Sequence, residues 1–398
     1  MRMNYNTGGI FKMNFLGYKR PDGKVGIRNK VLILPTCACS SETCRIVSEQ
    51  VKGTVYVSNQ AGCSEVEQNL KICYDMYSGF AANPNIYGTV LLGLGCEGCT
   101  PQNMADEIRK KTNKPLEIVI IQDEGGTVNA INKAVKYARK MVQDASLVQK
   151  EECPLSELFL GIECGGSDAT SGLASNPVVG KVSDMIVDEG GSAVMSETTE
   201  FIGAEHVLAK RAATPEIKKQ IITICKNLEE HLANVHQNLR TGQPTPGNKE
   251  GGVSTIEEKS LGCIYKGGTK PIVEVLDYAQ MPTKKGALIM DTPGFDVASV
   301  TAMVAGGCQV IIFTTGRGTP TGNIIAPVIK VTGNSKTFKN MKDNIDFDAS
   351  VVLNGEKTIE ERGKDLFNEL IEVANGKVTK AEAFGFNECS MNRICKFI

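Results

Sequence analysis

The chain has 398 residues, 41% of them hydrophobic and 22% charged, with a formal net charge of -1. That balance argues against nucleic-acid binding as the main task, and no apolar run approaches the roughly 20 residues that span a bilayer. The length exceeds one ordinary core, so two domains are expected. Fourteen cysteines with no secretion signal point to reduced thiols and a cytoplasmic setting.

The first fourteen residues read as a disordered leader. Residues 17–29, GYKRPDGKVGIRN, are turn-rich and polar, and an apolar strand is expected at 30–35. Further strands are expected at 54–58, 87–94 and 116–122, then an amphipathic helix over 127–142. Cysteines recur at the ends of these strands: Cys37 and Cys39, Cys63, Cys96 and Cys99. The polar stretch 144–156 marks a domain boundary. It divides an α/β domain over 15–150 from a second one over 156–398.

The second domain opens on an apolar run, 158–162, that enters Glu163-Cys164-Gly165-Gly166-Ser167-Asp168. A strand, a tight turn and a helix start near Asn176-Pro177 form the place where an α/β protein usually carries its chemistry. The two glycines let the backbone turn sharply and approach a ligand. A helix over 177–189 and a strand over 192–195 follow, ending in SETTE. Next come a helix carrying Glu205 and His206, a long helix over 215–239 and a Pro- and Gly-rich loop over 241–252. Strands at 287–290, 310–314 and 325–331 and a helix over 356–374 complete the chain. Apolar strands alternating with helices predict parallel sheets, with ligands outside the strands' carboxyl ends.

Asp168, Glu197 and Glu200 follow strand ends, as general acid–base groups or hard metal ligands do. His206 is one of three histidines and sits just after the SETTE run. Arg317, between two glycines, suits bidentate gripping of a carboxylate, and Lys249 can add a second positive charge. Ser167 and Thr315 stand on the same turns. The lone CxxC, Cys96 to Cys99, is a weak zinc signal. Separated thiols suit an iron–sulfur cluster better, and three thiolates would leave one iron open to substrate. Such cysteines also occur simply as small core residues. No GxGxxG follows the first strand and no P-loop is present, which argues against a nicotinamide or nucleotide enzyme.

The motifs GYKRPDGKVGIRN, GLGCE, ECGGSDATSG, SETTEFIGAEH, PTPGNKEGG, EKSLG, KGGT, MDTPGFD and FTTGRGTP resemble, in order, those of the altronate/galactarate dehydratase family. That family also takes in the large subunit of sulfolactate sulfo-lyase. The resemblance implies a two-domain α/β fold whose C-terminal domain is Rossmann-like with a crossover. It also implies iron-dependent elimination of water from a sugar acid to a 2-keto-3-deoxy acid. Asp168, Glu197 and His206 become the proton-transfer candidates. Arg317, Lys249, Ser167 and Thr315 become the contacts to a small carboxylate substrate. The iron, as Fe2+ or a three-thiolate cluster, falls to Cys63, Cys96 and Cys164, with Cys39 the alternate. Asp168 and Glu197 are the hard-site option. A separate small subunit carrying a β-clip (SAF-type) domain and a homodimer of the large subunit are implied partners, with no nucleic acid and no membrane. The family's His-x-x-Gly-Cys-Gly reads Asn59-Gln60-Ala61-Gly62-Cys63-Ser64 here, so both the His and the last Gly are replaced. Release of sulfite, or a non-catalytic binding or redox role, are the alternatives.

Overall fold

A computed structural model describes residues 13–394. Two parallel sheets dominate it, as the alternation of apolar strands and helices predicts. The smaller contains β3 (Lys30–Pro35), β4 (Thr54–Tyr56), β5 (Ile86–Gly93) and β6 (Leu116–Ile120), in the order β4-β3-β5-β6. The larger contains β8 (Phe159–Cys164), β9 (Ser192–Met195), β10 (Ile272–Leu276), β11 (Ala287–Met290), β12 (Val310–Thr314), β13 (Val328–Thr332) and β14 (Phe347–Asp348). Its order is β10-β11-β9-β8-β12-β13-β14, parallel throughout. The chain places β9, β10 and β11 on one side of β8, with β11 inserted between β9 and the edge strand β10, then crosses to β12 on the other. The switch point therefore lies between β8 and β12, where Cys164 pairs in register with Thr314.

Every residue of β12, VIIFT, is buried, as a strand covered on both faces requires. Helices Asn176–Asp188 and Ile359–Ala374 pack together over one face. The second begins with a reciprocal capping box between Thr358 and Glu361, which satisfies amides that the first turn leaves open.

The two sheets share one apolar core. Helix Glu67–Ala82 of the small unit lies against helix Asp296–Ala305 of the large one, and Met76, Tyr77, Phe80, Met303 and Val304 are buried together. Fully burying side chains of this size contributes about 1.5–3 kcal/mol each. Gly79 permits the approach, since a Cβ there would meet the Ala305 carbonyl oxygen at 2.3 Å.

Three expectations change. Residues 1–12 of the predicted leader lie outside the described residues, but Asn14 already belongs to β1 (Asn14–Lys19). This strand pairs antiparallel with β2 (Val25–Gly26) and with β7 (Glu151–Pro154). The stretch 144–156, expected as a polar domain boundary, thus contains a paired strand. Only Cys153 of β7 is buried, so a polar composition concealed a paired strand. The long helix ends at Asn234, and the loop after it contains short helices Leu239–Gly242 and Pro246–Glu250. Edge strand β10 had no counterpart in the sequence reading.

Candidate active site

The turn after β8 and the turn after β12 close on one another at the switch point. The amides of Gly316 and Arg317 both donate to the Gly166 carbonyl, at 2.9 and 3.0 Å. Gly166 allows this: a Cβ there would stand 3.2 Å from Arg317 Cβ. The 246–252 segment lies over the same turn, with the Ala169 amide donating to the Gly251 carbonyl at 3.1 Å. Ser167, Asp168, Thr315, Arg317 and the loop of Lys249 thus meet around one crevice.

Behind the crevice lies a compact group of buried ionisable side chains. Oxygens of Glu163, Glu197 and Asp296 all fall within 4.8 Å of one another. Glu163 is the penultimate residue of β8, Glu197 follows β9 and Asp296 starts the helix after β11, so three strand ends supply them. Glu163 Oε2 accepts from Ser299 at 2.7 Å and Ser196 at 3.1 Å, while Oε1 is buried with no hydrogen-bond partner. Asp296 approaches over Gly165, where a Cβ would sit 2.9 Å from its Oδ2. Glu197 has φ +66°, a left-handed backbone that is strained for glutamate and typical of functional positions. Burial pushes the Glu163 carboxyl up to about 8, against the pull of Lys266. Burial, then Glu163 and Glu200, hold the Glu197 carboxyl well above the usual range, and burial also raises Asp296.

A second group adjoins it. Glu200 pairs with the fully buried Lys266, and Lys259 stands 3.5 Å from its other oxygen. Burial opposes ionisation of Glu200, yet Lys266 and Lys259 hold it below the usual carboxylate range. Cys164 Sγ lies 3.8 Å from Cys263 Sγ and 3.4 Å from Ser167 Oγ. The Cys263 contact brings the Cys164 thiol down to about 7, against burial. Cys164, Glu200 and Cys263 have the spacing of metal ligands. Both Glu200 oxygens already face ammonium groups, so a cation there would have to displace them.

The predicted residues separate. Glu197 falls inside the carboxylate group. Asp168 is held by its own loop: Oδ1 accepts from the Thr170 amide and hydroxyl at 2.9 and 2.6 Å, and Oδ2 from Asn334 at 2.7 Å. Ser167 and Thr315 are buried at the crevice. Arg317 is half exposed and pairs with Glu250 at 3.1 Å, and Lys249 is exposed beside it. His206 is exposed on the short helix Glu205–Leu208. Cys164 is buried beside Cys263, whereas Cys39, Cys63 and Cys96 are exposed on the small sheet. Cys164 and those three thus sit on different sheets. Glu163, Lys259, Cys263, Lys266 and Asp296 received no role from the sequence. All but Cys263 stand within the motifs ECGGSD, EKSLG, KGGT and MDTPGFD, and Cys263 directly follows EKSLG. Reading those motifs for charge would have found four of them.

On the small sheet, the site of the replaced family His is structural. Asn59 is buried, donates to the Pro35 carbonyl at 3.2 Å and accepts the Ala61 amide at 2.8 Å. Ser64, where the family has Gly, takes φ +53°. Glu97 accepts from the amides of Leu94 and Gly95, at 2.9 and 2.6 Å, and from the Thr36 hydroxyl at 2.5 Å. It ties the turn carrying Cys96 to the end of β3.

Comparison with known sequences agrees with this architecture. Residues 17–146 match the profile described as D-galactarate dehydratase/altronate hydrolase, second domain, and residues 155–396 match D-galactarate/altronate dehydratase, C-terminal. The chain is 37% identical to the (2R)-sulfolactate sulfo-lyase subunit beta of Chromohalobacter salexigens, over 96% of this chain and 97% of that protein. It is 33% identical to altronate dehydratase of Bacillus subtilis, over 95% of this chain and 77% of that one. With galactarate dehydratase (L-threo-forming) of Escherichia coli the identity is 40%, over 74% and 57% respectively.

Proposed function

The chain belongs to the D-galactarate/altronate dehydratase family, and we propose that it is a lyase that eliminates water from a 2,3-dihydroxy sugar acid to give a 2-keto-3-deoxy acid. The observation that carries this reading is the buried Glu163–Glu197–Asp296 group at the switch point, backed by the Glu200–Lys266 pair. Elimination takes a proton from the carbon beside the carboxylate and gives one to the departing hydroxyl. A carboxyl held well above its usual range by burial holds its proton more tightly than an ordinary one and can donate it. We assign that transfer to Glu197. Glu163, Glu200 and Asp296 add their negative charge to burial in raising the Glu197 carboxyl, against the pull of Lys266, and the strained backbone fixes where the carboxyl points. Arg317 and Lys249, at the rim, meet the substrate's carboxylate. The Arg317–Glu250 pair is a surface contact worth at most about 1 kcal/mol, so a substrate can exchange for it.

The proposal includes iron. Bound iron supplies Lewis acidity toward the substrate's carboxylate and neighbouring hydroxyl. Cys164 does not suit it, because Glu200 beside that thiol is already neutralised by lysines. Cys39, Cys63 and Cys96 keep their thiols exposed.

A second reading, with sulfite as leaving group, has one specific support: the match covers 97% of the sulfo-lyase subunit beta. That protein is named as a subunit, which also supports a separate small partner; a homodimer of this chain completes the proposed assembly. The test is product analysis with altronate, galactarate and sulfolactate under anaerobic conditions, with iron added. A keto-deoxy acid supports the first reading and free sulfite the second. Tight binding without either product would leave a non-catalytic protein. Replacing Arg317 with Lys removes the planar fork and should raise KM with kcat little changed; unchanged kinetics would remove Arg317 from the site.

A further inference from the structure

We propose that a cavity at the amino edge of the large sheet, where the two sheets' units meet, binds an organic anion with an apolar body. It is separate from the crevice at the carboxyl edge and does not rest on the lyase reading. Its volume is about 310 Å³. That is within the range of small-molecule pockets, which favour domain junctions. Phe159 and Ser192 in its wall are the first residues of β8 and β9, and Gln309 immediately precedes β12. From Phe159, β8 runs to Cys164, about 16 Å of extended chain, so the cavity lies at the opposite end of the sheet from the crevice.

The walls are braced in advance. Gln309 ties three segments together: its Oε1 accepts the Phe159 amide at 2.5 Å, and its Nε2 donates to the Glu157 carbonyl at 3.0 Å and to the Val25 carbonyl of β2. Val25, Pro84 and Leu158 are buried along the cavity, and Phe159, Met281 and Pro282 line it with partly covered apolar surface. Gly307 takes φ +107°, and a Cβ there would meet only Phe159, at 3.9 Å. That part of the wall therefore stays open for want of a side chain.

Charge selects the ligand. Lys24, Lys284 and Lys285 line the cavity against one carboxylate, Glu157, which pairs with Lys285 at 2.9 Å. Lys24 is half-buried, and its ammonium reaches the Met281 sulfur, a weak acceptor, at 3.6 Å. Asp22 is engaged elsewhere, accepting the Lys24 amide at 3.2 Å and the Thr112 hydroxyl at 2.6 Å. Lys284 is exposed and lies 3.5 Å from the Val273 carbonyl. Among the described residues no carboxylate pairs with the ammonium of Lys24 or Lys284. Both are thus left for an anion, and the apolar walls take its body. A polyhydroxy acid fits poorly, because its hydroxyls would face carbon without hydrogen-bond partners. No histidine or cysteine lines the cavity, so its role is binding rather than chemistry.

The experiment uses the whole chain with anilinonaphthalene sulfonate as the fluorescent probe, and naphthoate and galactarate as competitors. Titration should show saturable binding. Naphthoate should displace the probe, and galactarate at the same concentration should not. In Lys24→Met and Lys284→Glu the apparent Kd should rise roughly tenfold or more, as loss of a charged hydrogen-bond donor implies, with the Tm of the probe-free protein unchanged. A second arm needs no variant. Acylation of the wild type with a succinimidyl ester, read by mass spectrometry, should label Lys24 and Lys284 less when the probe is bound, and Lys249, at the crevice, equally in both states. Absence of saturable binding, an unchanged Kd in both variants, displacement by galactarate, or protection of Lys249 in place of Lys24 and Lys284 would each overturn the site. None of these outcomes bears on product formation, so the lyase reading stands or falls separately.

Discussion

The carboxyl edges of the two sheets use the same architecture for opposite chemistry. Each gathers the turns of adjacent parallel strands, and each carries cysteine. On the large sheet the thiols are buried, and the surrounding charge is crowded and mutually constrained: Glu163, Glu197, Glu200 and Asp296 against Lys259 and Lys266. On the small sheet Cys39, Cys63 and Cys96 are exposed beside the buried Cys37 and Cys99, and the carboxylate of Glu97 is spent on backbone amides. Burial sets proton affinities at one edge, whereas exposure leaves donors free at the other. The difference lies in what covers each edge: the 246–252 segment closes over the β8 turn, while Cys39, Cys63 and Cys96 face outward.

Substitutions that should affect one edge and spare the other test this contrast. Glu197→Gln should lower turnover by roughly 10²–10⁴-fold, the range for a lost proton-transfer group. Stability should hold, because the amide ends the burial of an ionisable group; single-turnover product formation is the measurement. Lys266→Met strands Glu200 without its partner and should destabilise by about 3–5 kcal/mol in denaturant titration. Replacing Glu200 and Lys266 together with apolar residues should recover most of that loss; no recovery would mean that the pair is not what Lys266 serves.

A smaller effect concerns pH. Glu163 takes its proton near 8 in the folded chain and near the ordinary carboxylate value when unfolded. Between those values the folded state holds a proton that the unfolded state releases, so stability falls as pH rises through the window. Urea unfolding at pH 5 and pH 8 should show this decline, and Glu163→Gln should flatten it. At the small edge, Cys63→Ser in iron-free protein should change stability by less than about 0.5 kcal/mol, as an exposed substitution does. A large drop would mean that Cys63 is packed rather than presented.

Much of the fold is legible in the sequence because buried parallel strands read as continuous apolar runs. Strands 30–35, 192–195, 287–290 and 310–314 coincide with observed elements. The antiparallel pair of β1 and β7 escaped because its outward residues are polar and its inward ones few. The switch-point turn is legible from its glycines. What the sequence did not display is pairing at a distance. Lys266 looks like any surface lysine until the fold places it against Glu200, 66 positions away. Asp168 shows the converse: Asp, Ala, Thr, Ser in succession is also a local hydrogen-bonded turn, and its carboxylate accepts from that turn. Cysteine counting located thiols at strand ends but could not tell those that face solvent from Cys164, which faces Cys263.

The continuous core shared by helices Glu67–Ala82 and Asp296–Ala305 limits how the molecule can move. A hinge between the sheets would have to peel Tyr77 and Phe80 away from Met303 and Val304 on every opening, exposing surface worth several kcal/mol. The free energy of that opening would keep the open state a minor one. Gating therefore belongs to short segments on the rim, above all residues 238–254, most of which are exposed. Substrate exchange should accordingly show as fast local hydrogen exchange there, with no change in the overall dimensions of the chain.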